Sequence, residues 1–231
     1  MSGLAWKTLH NSVVLYDKEY THRWVDAFGP NVRKMFLVDH YPLDSCTATA
    51  VNASTITGLA SSLGGGWVFT SAAADNDGIQ LQCNSEWAYF GGPYPAYFGA
   101  RFKIGDVDNC DVVMGYAITD TSIATAVSDA IYFRVVDNDA ALTFVIENTN
   151  AETIVEIADL VDNTYVTVEF YYDGDTTVTY YVDNVEIGTF ETTAANMPDD
   201  EHLAPAIAML TGAGGATTMT VQWARWIQIL E

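Results

Sequence analysis

The sequence predicts an all-β fold: a two-sheet antiparallel jelly-roll sandwich with an extended N-terminal arm. Three observations predict it. From residue 45 onward, segments rich in Val, Ile, Thr, Tyr and Phe alternate with Gly, Asn and Asp turns roughly every 8–12 residues. No stretch after that point carries the 3.6-residue apolar period of a long amphipathic helix, and only residues 157–161 suggest one short helical turn. The chain is 49% hydrophobic and 13% aromatic over 231 residues, enough to fill the space between two sheets. Roughly ten to thirteen short strands with no repeat period describe a sandwich rather than a propeller or solenoid.

Residues 1–44 differ from the rest. They hold His10, His22 and His40 and five of the nine basic residues. Their aromatics run from Trp6 to Tyr41, and their periodicity is weak. Phe28-Gly29-Pro30-Asn31 reads as a turn, and Pro42 with Asp44 as a break. This is the composition of an arm that buries its aromatics against its own domain or a neighbouring subunit. Residues 45–231 then form the jelly-roll domain.

Within that domain Cys46–Val51 alternates Thr with small residues, and Gly64-Gly65-Gly66 leads into Trp67–Thr70. Asp75-Asn76-Asp77-Gly78 turns the chain into 79–82, where apolar and polar residues alternate. Residues 97–104 place Phe98, Ala100, Phe102 and Ile104 on one face, with Arg101 and Lys103 on the other. After 112–118, segments 131–136 and 142–146 are joined by Asp137-Asn138-Asp139, a hairpin signal. Residues 165–172 have period two and end at Asp173-Gly174-Asp175. Thr177–Val182 and 185–190 are joined by Asp183-Asn184. The last strand, 218–230, offers Met219, Val221, Trp223, Ile227 and Ile229 to one face.

The net charge is -21, from 9 Lys plus Arg against 30 Asp plus Glu. Such a surface repels phosphate backbones and anionic headgroups, which excludes nucleic acid and disfavours membranes as partners. The charge is uneven. Residues 1–40 carry Lys7, Lys18, Arg23, Arg33 and Lys34 against Asp17, Glu19, Asp26 and Asp39, so the remaining 4 basic residues face 26 acidic ones. The long uncharged stretches 45–74 and 202–224 are rich in Ser, Thr, Gly and Pro and do not read as membrane spans. The N-terminus has no apolar core of signal-peptide length, so synthesis in a cytoplasm is expected. Cys46, Cys83 and Cys110 have neither disulfide-framework nor zinc spacing and are expected to be buried free thiols.

Several motifs together resemble a known family. Tyr97-Phe98-Gly99-Ala100-Arg101-Phe102-Lys103 is followed by Met114-Gly115-Tyr116-Ala117 and by Ser128-Asp129-Ala130-Ile131-Tyr132-Phe133. Val168-Glu169-Phe170-Tyr171-Tyr172-Asp173-Gly174 then precedes Tyr180-Tyr181-Val182-Asp183-Asn184, a Pro205-containing strand and a final Trp223-Ala224-Arg225-Trp226 strand. This order resembles the concanavalin A-like, laminin G-like jelly roll over about residues 45–231. That fold carries lectins, glycosidases, adhesion domains and virion parts. A narrower resemblance, in Ala74-Asp75-Asn76-Asp77-Gly78 and in the FGARFK and GYAITDT stretches, is to virion structural proteins of tailed phages. It implies a capsid decoration, or cement, protein, with the arm as the added docking element.

The catalytic constellations are thin. Retaining glycosidases of this fold use two Glu on one strand face, with carboxyl groups about 5 Å apart. The comparable spacing here is Glu152 and Glu156, which in a strand lie about 13 Å apart. A Gly-x-Ser-x-Gly elbow is missing, and His10, His22, His40 and His202 have no metal-ligand spacing. The chain is therefore expected not to be an enzyme and to have no resident cofactor. Calcium is the one ligand weighed further, at Asp106, Asp108 and Asp111, although Asp-rich turns have a purely local explanation. Tyr89, Phe90, Tyr94 and Tyr97 surround Gly91-Gly92-Pro93 and Pro95, an aromatic loop suited to a sugar or to a subunit interface.

The first expectation is thus a non-enzymatic protein of the capsid exterior that binds the major capsid protein and copies of itself, as a trimer, and stabilises the head. Its contacts would come from Trp6, Arg23, Trp24, Phe28, Arg33, Lys34 and Phe36 of the arm. The alternative is a carbohydrate-binding, lectin-like module of a phage tail or adhesin, with the glycan on the Trp87–Tyr97 loop.

Overall fold

The computed structural model describes residues 46–59 and 66–230 in full, and the backbone of four strands within the first 37 residues. Those four are β1 (Leu4–Leu9), β2 (Ser12–Asp17), β3 (Trp24–Phe28) and β4 (Val32–Leu37). β1, β2 and β3 form a three-stranded antiparallel sheet, which the weak periodicity of this segment did not reveal.

The sandwich follows. Its strands are β5 (Cys46–Val51), β6 (Thr55–Gly58), β7 (Trp67–Thr70), β8 (Gly78–Cys83), β9 (Ala88–Tyr89) and β10 (Ala96–Ile104). After a 3-10 turn at Val107–Asn109 come β11 (Cys110–Ala117), β12 (Ala130–Val136), β13 (Asp139–Asn148) and β14 (Ala151–Asp159). β15 (Val166–Tyr172), β16 (Thr177–Val182), β17 (Val185–Glu191), β18 (His202–Thr211) and β19 (Thr218–Ile229) complete it. One sheet runs β17-β16-β15-β10-β19-β7-β6, with β4 beside the far half of β19. The other runs β14-β13-β12-β11-β18-β8-β5, with β9 beside the start of β18. This is the expected jelly-roll sandwich.

The short helical turn expected at 157–161 is instead the end of β14. There the register skips Ile157 between Glu156 and Ala158, and this bulge interrupts the alternation that marks a strand. The hairpin turns are as expected. Asp183 and Asn184 both take positive φ, 48° and 68°, the backbone of a type I′ turn.

The core lies between the sheets. Phe98, Ala100, Phe102 and Ile104 are buried in it, as their alternation required. Phe98 lies 5.3 Å from Trp226, 5.8 Å from Phe170 and 6.0 Å from Phe133, and Phe144 lies 5.0 Å from Phe133. Such tilted aromatic pairs contribute beyond the area they bury. The Trp226 indole N–H donates to Gly115 O at 2.6 Å, pinning one sheet to the other through a buried bond. Gly115 has φ +155°, and a Cβ there would meet Ile131 O at 2.3 Å.

β19 corrects one expectation. Its partners in β10 jump from Arg101↔Trp223 to Phe102↔Val221, so Gln222 is an extra residue. This bulge switches the inward face, and Met219, Val221, Ala224 and Trp226 join the core while Trp223 leaves it. Pro205 sits in β18 between the residues paired with β9 and those paired with β8, where an absent N–H costs no ladder bond.

Candidate functional site

Two clefts bring chemistry-bearing side chains together. The larger, about 710 Å³, lies at one end of the sandwich, where the start of β18 and the end of β19 meet the segment around β9. Its size suits a small-molecule or oligosaccharide ligand. Trp87, Tyr89, Tyr94 and His202 give it aromatic walls, and Ser85, Glu86 and Gln228 give it polar atoms.

The strands set this geometry. Tyr89 and His202 are Cα partners across β9 and β18, so their rings stack at 4.8 Å and 23°. Tyr94 leans on Tyr89 at 6.3 Å. Trp87 meets the core Tyr116 edge-on at 5.8 Å. Beneath them Gln228 is fully buried. Its Oε1 accepts the Tyr89 N–H at 2.9 Å, and its Nε2 donates to Tyr89 O at 2.6 Å and Tyr94 O at 3.5 Å. One side chain of the last strand thus fixes the backbone of both tyrosines. Gly91 allows the loop to approach closely, since a Cβ there would lie 1.9 Å from Asp199 O.

Of the four aromatics proposed for this loop, the structure leaves Tyr89 and Tyr94 half-buried in the cleft. Phe90 and Tyr97 are removed from it. Phe90 is in the core against Tyr116 and Tyr172. Tyr97 is fully buried and donates its hydroxyl to Glu169 Oε1 at 2.7 Å. Alternation accounts for Phe90, two residues after the buried Ala88, whereas Tyr97 lies on the face of β10 opposite Phe98 and is covered there beside Gly99 and Glu169. No local pattern pointed to Gln228 or His202, which lie more than a hundred residues from Tyr89.

The second cleft, about 270 Å³, lies on the outer face of the β11–β14 sheet. The loop between β11 and β12 crosses that face and buries Ile123 and Val127 against Val113, Tyr132, Val145 and Ala208. Gln80 and Gln82 of β8 hold the loop down. Gln80 Oε1 accepts the Ile123 N–H at 3.1 Å, and Gln82 Oε1 accepts the Asp120 N–H at 3.1 Å. Beside the loop, Glu147 and Glu152 are Cα partners across the β13–β14 hairpin. The Tyr132 hydroxyl lies 3.0 Å from Glu147 Oε2 and 3.3 Å from Glu152 Oε1, so one phenol bridges the two carboxylates. Arg134 makes a two-pronged ion pair with Glu152, at 2.6 and 3.2 Å. Burial pushes the Glu147 carboxyl above its ordinary value, against the Tyr132 hydrogen bond, and burial likewise pushes the Tyr132 hydroxyl well up.

This arrangement corrects the search for a carboxylate pair. Glu152 and Glu156 lie along one strand, as expected, but the partner Glu152 meets is Glu147, across a two-residue turn at Thr149 and Asn150, both with positive φ.

The calcium candidates do not converge. Among the described residues no group of three His, Cys, Asp or Glu is placed to hold a metal ion. Asp106 precedes the 3-10 turn, Asp108 offers its backbone carbonyl to the Asn138 N–H, and Asp111 spends a carboxylate oxygen on the Asp137 N–H at 3.0 Å. Of the arm residues, Trp6 lies on β1, Trp24 and Phe28 on β3, and Arg33, Lys34 and Phe36 on β4, whose backbone pairs with β19. Arg23 and all of these side chains lie outside the described residues.

No family model matches the chain, and no curated protein sequence matches it. Solved structures do. The endo-β-1,4-glucuronan lyase of the fungus Trichoderma reesei superimposes with a TM-score of 0.56 at 11% identity, covering 84% of this chain and 94% of that one. A GH16 protein of Bacteroides ovatus, solved with a mixed-linkage glucan product, gives 0.53 at 12% identity over 86% and 96%. The Emp46p carbohydrate recognition domain, in its potassium-bound form, gives 0.54 at 8% identity over 80% and 88%. The fold is therefore that of jelly-roll lectins and glycan-active enzymes. The expectation that the chain is not an enzyme is corrected: its fold is shared with a lyase and a glycoside hydrolase, a likeness at 11% and 12% identity that shows the fold and no activity.

Proposed function

We propose that the chain is a carbohydrate-binding module that takes a neutral glycan in the cleft of Trp87, Tyr89, Tyr94 and His202. The observation that carries this reading is the aromatic wall clamped from below by Gln228. Aromatic faces pack against the C–H faces of pyranose rings, and a few fixed polar groups orient the hydroxyls. Among the described residues no Lys or Arg lines this cleft, and its aromatic and uncharged polar groups suit a neutral β-glucan. Neighbours that recognise or cleave glycans support the reading through the fold they share. Neither the fold nor the neighbours named above favour a capsid role, so glycan recognition replaces capsid decoration as the leading reading.

A second reading has its own observation, the facing Glu147 and Glu152. A carboxyl whose pKa burial raises, facing one that is ion-paired with an arginine, is an asymmetry of the kind used in glycoside cleavage.

One experiment tests both. Mixed-linkage glucan oligosaccharides are titrated into the full chain by calorimetry, and reducing ends are followed in parallel. Binding that weakens about tenfold or more in Tyr89→Ala and Tyr94→Ala is expected, the loss of one well-packed aromatic contact being about 1.4 kcal/mol or more. Undiminished binding in both variants, or none by the wild type at millimolar ligand, refutes the cleft assignment. Release of reducing ends would favour the second reading.

A further inference from the structure

Cys46 and Cys83 lie far apart in the sequence and directly opposite one another in the fold. They are Cα partners in the antiparallel pair β5 and β8. Cys83 is buried, and Cys46 packs half-buried against the core on the same side of that pair. Opposed residues of antiparallel strands have Cα atoms about 4.5 or 5.5 Å apart, and both values fall within the about 4.4–6.8 Å that disulfides span. The two sulfurs are hydrogen-bonded to each other. That bond lowers the Cys83 pKa and raises that of Cys46. Backbone N–H groups of Ser85 and Asn84 and the Trp87 side chain add further hydrogen bonds to the Cys83 sulfur. The direction of these shifts makes Cys83 the more readily ionised thiol of the pair. The residue borders an open groove with Thr47, Gln82 and Asn84, and the half-buried Cys46 is the more exposed of the two. Cys110 is a different case, a buried thiol pushed up to about 12 by desolvation and nearby carboxylates.

We propose that Cys46 and Cys83 form a modification site that closes to a cross-strand disulfide when the protein meets a low-molecular-weight disulfide of the oxidised-glutathione class. The Cys83 thiolate attacks one sulfur of the oxidant, breaks its S–S bond and releases one small thiolate, which takes up the proton that Cys83 lost. The Cys46 sulfur, giving up its proton, then attacks the Cys83 sulfur of the mixed disulfide and expels the second small thiol. Two protein thiols become one disulfide while one small disulfide becomes two thiols. The bond would staple β5, an edge strand whose one partner is β8, where the N-terminal segment enters the sandwich. It would also convert the sulfur beside Trp87, at the edge of the aromatic cleft, from a thiol to a disulfide sulfur.

The test uses the folded full chain. It is equilibrated with oxidised glutathione, quenched in acid, unfolded and alkylated with iodoacetamide, then analysed by mass spectrometry. The expected result is loss of two of the three alkylatable thiols and a peptide linking Cys46 to Cys83. Cys110→Ser should still lose two thiols, and Cys46→Ser none to an internal bond. Three thiols retained, a link involving Cys110, or arrest at a stable glutathione adduct on Cys83 would each overturn the proposal.

Discussion

Replacing Gln228 with Met separates the clamp from the packing around it. Met matches the length and volume of Gln, so the site stays filled and no cavity term enters. What is lost is hydrogen bonding. The Tyr89 N–H and C=O lose partners at 2.9 and 2.6 Å, and Tyr94 O loses a longer contact at 3.5 Å. A buried backbone group left without its partner costs about 1–3 kcal/mol. Tyr89 is half-buried, so water recovers part of that cost, and the net expectation is about 2–4 kcal/mol. Urea unfolding followed by tryptophan fluorescence should show a lower midpoint at unchanged slope, and glucan affinity should fall along with it. A midpoint shift equivalent to less than about 0.5 kcal/mol, the range of an ordinary surface substitution, would refute the clamp. An unchanged affinity beside a clear loss of stability would show that Gln228 holds the fold but not the binding surface.

Burial and close packing set two further outcomes. Burial raises the Glu147 pKa in the folded state above the ordinary 4.5, so Glu147 favours folding fully only below about that pH, and this contribution is lost as pH rises through the folded value. Glu147→Gln should therefore gain stability relative to wild type at pH 7, with the difference shrinking toward pH 4; a difference independent of pH would contradict the assignment. Gly115→Ala forces a Cβ to 2.3 Å from Ile131 O at φ +155°, beside the carbonyl that accepts from Trp226, and should cost about 3 kcal/mol or more in thermal or denaturant unfolding.

The strands of the second half were legible because their signals are local. Residues 165–172 alternate on their own, and Asp183-Asn184 is a turn in any context that permits positive φ. The alternation of Phe98, Ala100, Phe102 and Ile104 gave their burial directly. Where a bulge adds one residue, the pattern misleads. Gln222 moved Trp226 into the core and Trp223 out of it, and the bulge at Ile157 hid the end of β14. The aromatic loop was half legible. A cluster of Tyr, Phe, Gly and Pro pointed to the right segment, but only packing separated Tyr89 and Tyr94 from the buried Phe90 and Tyr97. The Glu147–Glu152 pair had a readable cue in the two-residue turn between them, which sets cross-strand partners.

The sequence by itself determined the all-β class, the two-sheet sandwich, most turn positions and the acidity of the β-domain, because periodicity two, turn backbone and charge are properties of short segments. Tertiary structure alone decided which distant residues meet. Gln228 reaches Tyr89, His202 stacks on it, Cys46 faces Cys83, and Glu147 faces Glu152 because strand order and register, set by burial of the whole core, brought those positions together. No local preference encodes a contact between strands more than a hundred residues apart; the fit of two complete sheets around one aromatic core does.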